Sequence, residues 1–191
     1  MSYEQVGTAA SGHPVTIREA TPDDDTVNRI DDSFTTDTII EIRPTGDGFV
    51  LTERTTSSPI RKEFPDETSV EAGDKEPSAR FVAVDEHGAV CGVIDLVSES
   101  WNRRVSVTEL KVRPAQRRRG IGRQLMERAV SYGHKCDART LWLEVTNINT
   151  PAIHAYLRMG FTWCGLDMSL YRGTGSEGEV ALFMSRSLAE L

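Results

Sequence analysis

Four arginines and two glycines are concentrated in one short segment of the chain, QRRRGIGR, at Gln116–Arg123. The segment follows a β-branched stretch that ends at Val112, and an apolar helical repeat begins within it, so it is predicted to join a strand to a helix. Glycine lets a backbone approach a ligand closely, and the free N–H groups at the start of a helix attract anions. These residues at this spacing therefore predict a cradle for phosphate groups; a solvated basic patch at a helix start is the plain alternative.

Two common phosphate-binding loops do not fit this segment. No Gly-Lys-Ser/Thr follows the glycines, which excludes a Walker loop, and Leu125 stands where a dinucleotide fingerprint needs its third glycine. A second stretch, Gly173–Gly178, matches the letters of that fingerprint. It precedes a strand instead of a helix, so it is predicted to be a flexible hairpin loop.

The elements around these segments follow from hydrophobic periodicity. The chain is predicted to be mixed α+β, with about seven strands and about four helices in one domain over residues 15–191. Residues 1–14 are expected to be a flexible leader, Ser33–Asp37 a polar connector, and residues 65–79 an acidic loop. Predicted helices cover about 21–32, 120–132 and 151–159. Predicted strands cover 15–19, 38–43, 49–52, 80–84, 89–97, 105–112, 141–145, about 162–171 and 180–187.

Composition narrows the class of protein. Hydrophobic residues make up 38% of the 191 residues, enough for a buried core, and no apolar run has the length of a membrane helix. Three cysteines without CxxC spacing and four scattered histidines argue against a disulfide framework or a metal site. With no signal-peptide pattern at the start, a cytoplasmic location is expected.

The net charge of −7 is unevenly distributed along the chain. Residues 1–100 carry 21 acidic and eight basic side chains, whereas residues 101–191 carry eight acidic and 14 basic ones. An acidic half beside a basic half suggests one cationic and one anionic ligand, unless the surface charge has simply drifted. A nucleic-acid partner is disfavoured because phosphate would be repelled by the chain as a whole.

A second motif lies about thirty residues beyond the arginine-rich loop, at Asn149–Phe161, with the sequence NTPAIHAYLRMGF. Together with the RxxGxG pattern of Arg117–Gly122 and the strand before it, this segment resembles the GNAT superfamily of acyl-CoA-dependent N-acetyltransferases. The order and spacing of the two motifs carry the resemblance. It implies a GNAT-like fold, in which a central, mostly antiparallel mixed sheet is flanked by helices.

Several further segments are similar to those of streptothricin (nourseothricin) acetyltransferases within that superfamily. They are Ser33–Thr38, Thr45–Gly48, Trp101–Arg103, Leu141–Asn147 and Cys164–Met168. The resemblance implies a polycationic antibiotic as substrate, acetylated on a free amine of its β-lysine arm and so inactivated, which agrees with the charge asymmetry. One departure is visible, because the long acidic run of such enzymes is diluted here over residues 65–76. This dilution would weaken drug capture without changing the chemistry.

The resemblance implies where acetyl-CoA, the co-substrate, would bind. It would lie between the strands at 105–112 and 140–145, with backbone groups of Leu110–Val112 on its thioester and amides of Arg117–Gly122 on its pyrophosphate. No metal is expected. The residues expected to bind the coenzyme are Leu110, Lys111, Val112, Arg117, Arg118, Arg119, Gly120, Ile121, Gly122, Arg123, Asn149, Ala152 and Tyr156.

It also implies direct transfer in a ternary complex. An alkyl ammonium of pKa ~10 must lose a proton first, which costs about 4 kcal/mol at pH 7. Glu109 is the first candidate for the base, followed by Glu144 on the neighbouring strand. Tyr156, beside the sulfur, is the candidate acid for the leaving thiolate. The plain alternatives are a core aromatic for Tyr156 and a helix N-cap for Asn149.

The resemblance places the acceptor side near Ser33–Asp37, and Trp101 in a polar loop is expected either to wall the drug pocket or to be a half-buried packing residue. The residues expected to contact the drug are Phe34, Asp37, Trp101, Asn102, Glu144 and Asp167. Monomer and homodimer both stay open. Three other functions compete: a GNAT enzyme for another amine, a coenzyme A sensor without turnover, and an RNA-binding module, which lacks interleaved aromatics.

Overall fold

The computed structural model describes residues 15–64 and 78–188, so the predicted leader and residues 65–77 of the acidic loop lie outside it. Its α-helices are α1 (Ile121–Lys135) and α2 (Thr150–Arg158). Its strands are β1 (Thr16–Glu19), β2 (Phe34–Thr45), β3 (Gly48–Lys62), β4 (Ala79–Val84), β5 (Val90–Glu99), β6 (Arg104–Val112), β7 (Thr140–Thr146), β8 (Thr162–Asp167) and β9 (Ala181–Ser187).

Seven strands form one sheet in the order β1–β4–β5–β6–β7–β9–β8. Of its neighbouring pairs, β6 and β7 run parallel and the other five pairs run antiparallel. The parallel pair needs a crossover connection, and α1 supplies it. The predicted mixed, mostly antiparallel sheet of about seven strands is confirmed.

Helix α1 packs one face of this sheet. Its predicted apolar stripe is confirmed, because Ile121, Leu125, Met126 and Ala129 are all buried. A Cβ atom on Gly92 of β5 would lie 3.1 Å from a Leu125 methyl carbon, so the strand approaches the helix closely there.

The face of the sheet opposite α1 is partly covered by the segment around Val27 and Ile30. Val27 and Ile30 pack there against Val82 and Val93, which are buried in a second apolar cluster. Because side chains alternate along a strand, Val93 points away from α1 where Gly92 points toward it. The second face therefore carries its own small core beside β4 and β5.

The predicted helix over 21–32 is wrong: residues Asp25–Arg29 form a short 3₁₀ helix. The carboxylate of Asp24 accepts hydrogen bonds from the Thr21 amide at 2.7 Å and from Arg18, so the chain closes into a turn before a helix can begin. Two more 3₁₀ turns, at 100–102 and 114–116, are the other helical pieces that the structure describes, so its α-helices number two instead of the expected four.

Strands β2 and β3 form a separate two-stranded sheet that is much longer than the predicted hairpin. The predicted connector at 33–37 is wrong from Phe34 onward, because Phe34 already pairs with Lys62. The hairpin lies against the junction of β7 and α2, where the Ile40 amide donates to the Asn147 carbonyl at 2.9 Å. Thr36 and Thr150 share a buried hydroxyl–hydroxyl hydrogen bond of 2.6 Å at the same junction.

Candidate active site

A gap opens in the middle of the main sheet. β6 and β7 pair only over Arg104–Val107 and Thr140–Leu143. Beyond that point β6 continues to pair with β5, and β7 continues to pair with β9. A register shift between Asp95 and Leu96 of β5 leaves Thr108 as an extra residue in β6. A bulge bends its strand and increases the local twist, so it helps to separate the two strands.

Backbone groups of β6 line one side of this gap. The Arg113 amide donates to the Cys91 carbonyl at 2.9 Å, so it points toward β5. Peptide groups alternate along a strand, and those of Leu110 and Val112 therefore point the other way, toward β7. The Val112 carbonyl accepts a 2.9 Å hydrogen bond from Arg117 Nε. Backbone groups of Leu110 and Val112 thus face the gap, whereas those of Lys111 face β5, so the predicted backbone contact of Lys111 with the coenzyme is not supported.

The side chain of Arg117 connects the gap to the chain before β2. Its two Nη atoms donate to the carbonyls of Ser33 at 2.5 Å and Asp31 at 2.7 Å. With Val112 also bound, the guanidinium is committed to protein carbonyls. Its backbone amide donates to the Pro114 carbonyl at 3.2 Å, so each donor nitrogen of Arg117 already binds a protein carbonyl, and the predicted contact of Arg117 with the pyrophosphate is not supported.

The arginine-rich loop leads directly into α1. Gly120 caps the helix with a φ of 80°, and Arg118 also has a positive φ of 64°. The helix has no side-chain N-cap and no acid in its first turn, and its first i→i−4 bond is that of Gln124 to Gly120. The amides of Ile121 to Arg123 precede that bond and so have no partner within the helix, and the binding of a pyrophosphate by amides of Arg117–Gly122 stays a prediction.

The basic side chains of this loop stand at the surface. Arg118 and Arg119 are exposed, and Arg119 donates to Gln116 Oε1 at 3.0 Å. Arg123 pairs with Glu127 one turn later, at 2.9 Å. Arg118 forms no hydrogen bond or ion pair with the residues that the structure describes.

Two predicted carboxylates lie on the face of the sheet opposite α1. Glu109 is the register partner of Asp95, which lies two residues beyond Val93 on that face. Leu141 and Leu143 of β7 are buried on the α1 side of the sheet. Because side chains alternate along a strand, Glu144 points away from α1. Glu109 comes directly after the bulge, and Glu144 is the first residue of β7 beyond the parallel pairing.

The two carboxylates have different electrostatic environments. Glu109 forms an ion pair with Lys111, whose ammonium group also lies 3.4 Å from Asp32. Glu144 forms no ion pair with any cation in residues 15–64 and 78–188, and it accepts a hydrogen bond from the Tyr171 hydroxyl. Glu144 is exposed on one side, and desolvation by the protein around it raises its pKa above the usual range, while the hydrogen bond from Tyr171 opposes that effect.

Tyr156 and Asn149 come from α2 and its N-terminus. The Tyr156 ring packs on the main core with its centre 5.8 Å from that of Phe161. Burial, and to a lesser extent the negative charge of Glu144, raises the pKa of Tyr156 to about 12. A phenol with this pKa carries its proton at neutral pH, as a free tyrosine does, and the raised pKa makes it a weaker acid. Asn149 caps α2 by accepting the Ala152 amide at 3.2 Å, which leaves its predicted role toward the coenzyme a prediction.

The residues predicted to contact the drug lie in different parts of the fold. Phe34 lies at the start of β2 with its ring 6.0 Å from that of Phe64, and Asp37 occupies an irregularity in the same strand. Asp167 ends β8, where its carboxylate binds the backbone and hydroxyl of Ser169, and this lowers its pKa.

Trp101 and Asn102 are not brought together with these residues. They lie in a turn before the paired end of β6, and the Trp101 side chain is 84% exposed. At ~3.3 Å per residue, Glu109 is roughly 20 Å further along the chain. Their contact with the drug stays a prediction without support from this arrangement.

Three residues near Glu144 were missed by sequence reasoning. Tyr171 lies in the loop between β8 and β9, and Glu179 at the end of that loop pairs with buried Lys62 at 2.5 Å. The strand predicted to reach Tyr171 ends at Asp167, so Tyr171 belongs to the loop. The only sequence signal was an aromatic and an acid at the two ends of a Gly-, Ser- and Thr-rich stretch.

Comparison with known proteins identifies this arrangement. The acetyltransferase (GNAT) family matches residues 49–161, more than half of the chain and including both motifs. This chain belongs to the GNAT family of acetyltransferases. It is therefore an acetyl-CoA-dependent N-acetyltransferase.

Relatives of this acetyltransferase cover nearly its whole length. It is 44% identical to the streptothricin acetyltransferase of Streptomyces lavendulae over 93% of this chain and 97% of that protein. The crystal structure of a nourseothricin acetyltransferase matches with a TM-score of 0.84 and 44% identity, over 92% of this chain and 99% of the other. A Bacillus anthracis protein, crystallised in complex with acetyl coenzyme A, matches with a TM-score of 0.75 and 25% identity, over 91% and 98% of the two chains. The predicted resemblance is confirmed.

Residues 15–64 and 78–188 contain no helix long and apolar enough to cross a membrane. The same ranges hold no group of three or more His, Cys, Asp or Glu side chains placed to bind a metal ion.

Proposed function

We propose that this acetyltransferase transfers the acetyl group of acetyl-CoA to a free amine on the β-lysine arm of streptothricin-type antibiotics, which inactivates them. The observation that carries the proposal is Glu144, a carboxylate without a cationic partner among the described residues, where β6 and β7 separate. An acidic site at this position attracts an ammonium group. The identity of 44% to a streptothricin acetyltransferase supports the choice of drug.

The residues around the gap fit acetyl-CoA. The uncapped amides of α1 suit its pyrophosphate, and a Cβ on Gly120 would meet nothing within 4 Å, so that side of the loop is open. Backbone groups of Leu110 and Val112 are oriented to hold the thioester arm in the gap. When bound, the coenzyme supplies an activated acetyl group.

We assign the base to Glu144 in preference to Glu109, reversing the order of the two sequence candidates. Glu109 is engaged by Lys111, and this cation competes with an incoming ammonium group. Glu144 has a raised pKa and no such competitor among the described residues. It therefore accepts the ammonium proton, after which the neutral amine forms the N–C bond as the C–S bond breaks.

Tyr156 serves the leaving group. Its hydroxyl carries its proton at neutral pH, and burial raises its pKa to about 12. A proton donated from this hydroxyl to the departing sulfur prevents the free thiolate from reversing the reaction. The nitrogen loses two protons over the whole reaction: the first passes through Glu144 to solvent, and the second, released as the N–C bond forms, restores the Tyr156 hydroxyl after its proton has gone to sulfur.

The acceptor side is assigned to the surroundings of Phe34 and Asp37, next to the Asp31–Ser33 segment that Arg117 holds at the gap. The proposed reaction takes place in the cytoplasm, where acetyl-CoA is made and used.

Release of free thiol from acetyl-CoA, measured with a panel of amines, tests this function. Streptothricin is expected to give a kcat/KM far above those of an aminoglycoside, a polyamine and a peptide N-terminus. A preference for one of the other amines would identify a different GNAT substrate. Coenzyme binding without thiol release from any amine would indicate a sensor and would contradict the proposal.

A further inference from the structure

Tyr171 connects the loop between β8 and β9 to the proposed base. Its hydroxyl donates to Oε1 of Glu144, which leaves Oε2 without a hydrogen bond from any described residue. The loop reaches Glu144 from a distant part of the sequence, 27 residues later. The hydrogen bond therefore fixes Oε1 of Glu144, and Oε2 remains available to another group.

Glu179 fixes the end of this loop relative to Glu144. Its Oε2 accepts from Thr146 Oγ1 at 2.5 Å, and Thr146 lies two residues after Glu144 on the same face of β7. Its Oε1 is 2.5 Å from Lys62 Nζ, and that ammonium group donates to Ser176 Oγ at 2.8 Å. Lys62 is only 8% exposed, so this ion pair is shielded from water.

Both ends of the loop have further anchors. The Val180 amide donates to Asn147 Oδ1 at 2.8 Å, and the Ser169 amide donates to Asp167 Oδ1 at 2.6 Å. Because the loop is tied at both ends, the position of Tyr171 is set by the fold. A residue held in this way can orient a reacting group at little entropic cost.

The groups facing Glu144 have opposing effects on its charge. Desolvation and the negative charge of Glu179 raise its pKa, and the hydrogen bond from Tyr171 lowers it. Tyr156, on α2, also lies close enough for Glu144 to influence its pKa. Without the Tyr171 hydroxyl, the pKa of Glu144 would rise further.

We propose that Tyr171 is a positioning residue for acetyl transfer: its hydroxyl holds one oxygen of the Glu144 carboxylate so that the other faces the incoming ammonium group. This inference rests on the role proposed above for Glu144. Tyr171 itself needs no contact with the acetyl group or the amine.

Kinetics of a double-mutant cycle test this role. Tyr171→Phe keeps the ring and removes the hydroxyl, and it is expected to lower kcat about ten- to hundredfold, the effect of losing a hydrogen bond to a charged group. Because Tyr171 acts through Glu144, adding Tyr171→Phe to Glu144→Gln should cause little further loss. Tyr132→Phe, a tyrosine on α1 outside the site, is the matched control and should retain wild-type kcat. If the two losses multiply, the proposal is overturned, and Tyr171 only supports the loop.

A second measurement does not depend on the acceptor. The carboxyl carbon of Glu144 is followed by NMR through a pH titration of the protein without substrate, assigned by its absence in Glu144→Gln. The midpoint is expected to move to higher pH in Tyr171→Phe and to stay in place in Tyr132→Phe. An unchanged midpoint in Tyr171→Phe would overturn the positioning role, whatever the substrate. If the enzyme prefers another amine, the cycle is run with that amine, so that failure of the drug assignment is distinguished from failure of this inference.

Discussion

Substitutions of Gly122 are expected to change coenzyme binding without lowering folding stability. It is the second residue of α1, and a Cβ atom there would lie 3.9 Å from a Val112 methyl carbon, an ordinary contact. Alanine is favoured over glycine in a helix by up to ~1 kcal/mol. In a domain of this size that gain corresponds to a Tm increase of about 2–4 °C. Gly122→Ala is therefore expected to be at least as stable as the wild type.

The same methyl group should weaken acetyl-CoA binding. It stands beside amides of the first turn that have no partner within the helix, where an anion must approach closely. Loss of one hydrogen bond to a charged group costs about 1.5–3 kcal/mol. That range corresponds to an increase in Kd of roughly 10- to 150-fold. Gly122→Val adds further bulk and should raise Kd more.

Isothermal titration calorimetry with acetyl-CoA gives the Kd, and thermal unfolding of the free protein gives the Tm. Gly133→Ala is the matched control on the same helix: its Cβ would lie 2.5 Å from a Leu188 methyl carbon. Overpacking of this kind costs about 1–3 kcal/mol, so Tm should fall while Kd is unchanged. Folded Gly122→Ala and Gly122→Val proteins that both bind acetyl-CoA with the wild-type Kd would refute the cradle.

Three further predictions concern the proton movements and the capture of the drug. Tyr156→Phe should lower kcat at least about tenfold with little change in KM, because an acid for the leaving group acts mainly in the transition state; stopped-flow thiol release that shows a full kcat would favour the core-aromatic role. Glu144→Gln should lose more activity than Glu109→Gln, and its defect in pH–rate profiles should shrink as pH rises and free amine becomes abundant; the reverse ranking would return the base to Glu109. Neutralising the acids of residues 65–77 should lower kcat/KM for the drug and flatten its dependence on ionic strength, since long-range attraction between charges is screened beyond ~8–10 Å. If kcat/KM of the wild type and of the neutralised protein depended equally on ionic strength, this segment would have no role in drug capture. Those acids are Asp66, Glu67, Glu71, Asp74 and Glu76.

Local signals in the sequence were sufficient to predict the helix and the strands at the centre of the fold. The start of α1 was predictable because glycines interrupt a strand pattern and Ile121, Leu125 and Ala129 then recur at helical spacing. The strands on either side of the gap, β6 and β7, were visible as short β-branched or apolar runs. The elements to which we assign the coenzyme were therefore predictable from the sequence.

The remaining differences come from contacts between distant residues. The long β2–β3 hairpin is mostly exposed, so it lacks an apolar alternation that a sequence pattern would detect. The helix predicted from Thr21 fails because Arg18 holds the carboxylate of Asp24 in a turn. The Tyr171–Glu144 contact joins two segments across the sheet, and no local pattern indicates it.

The central claim is that the chain acetylates the β-lysine arm of a streptothricin. Incubation with acetyl-CoA and streptothricin, followed by tandem mass spectrometry of the drug, tests it most directly. We expect a mass increase of one acetyl group located on a fragment that contains the β-lysine amines, absent without enzyme and strongly reduced with Glu144→Gln. Unmodified drug, or an acetyl group located outside the β-lysine arm, would contradict it.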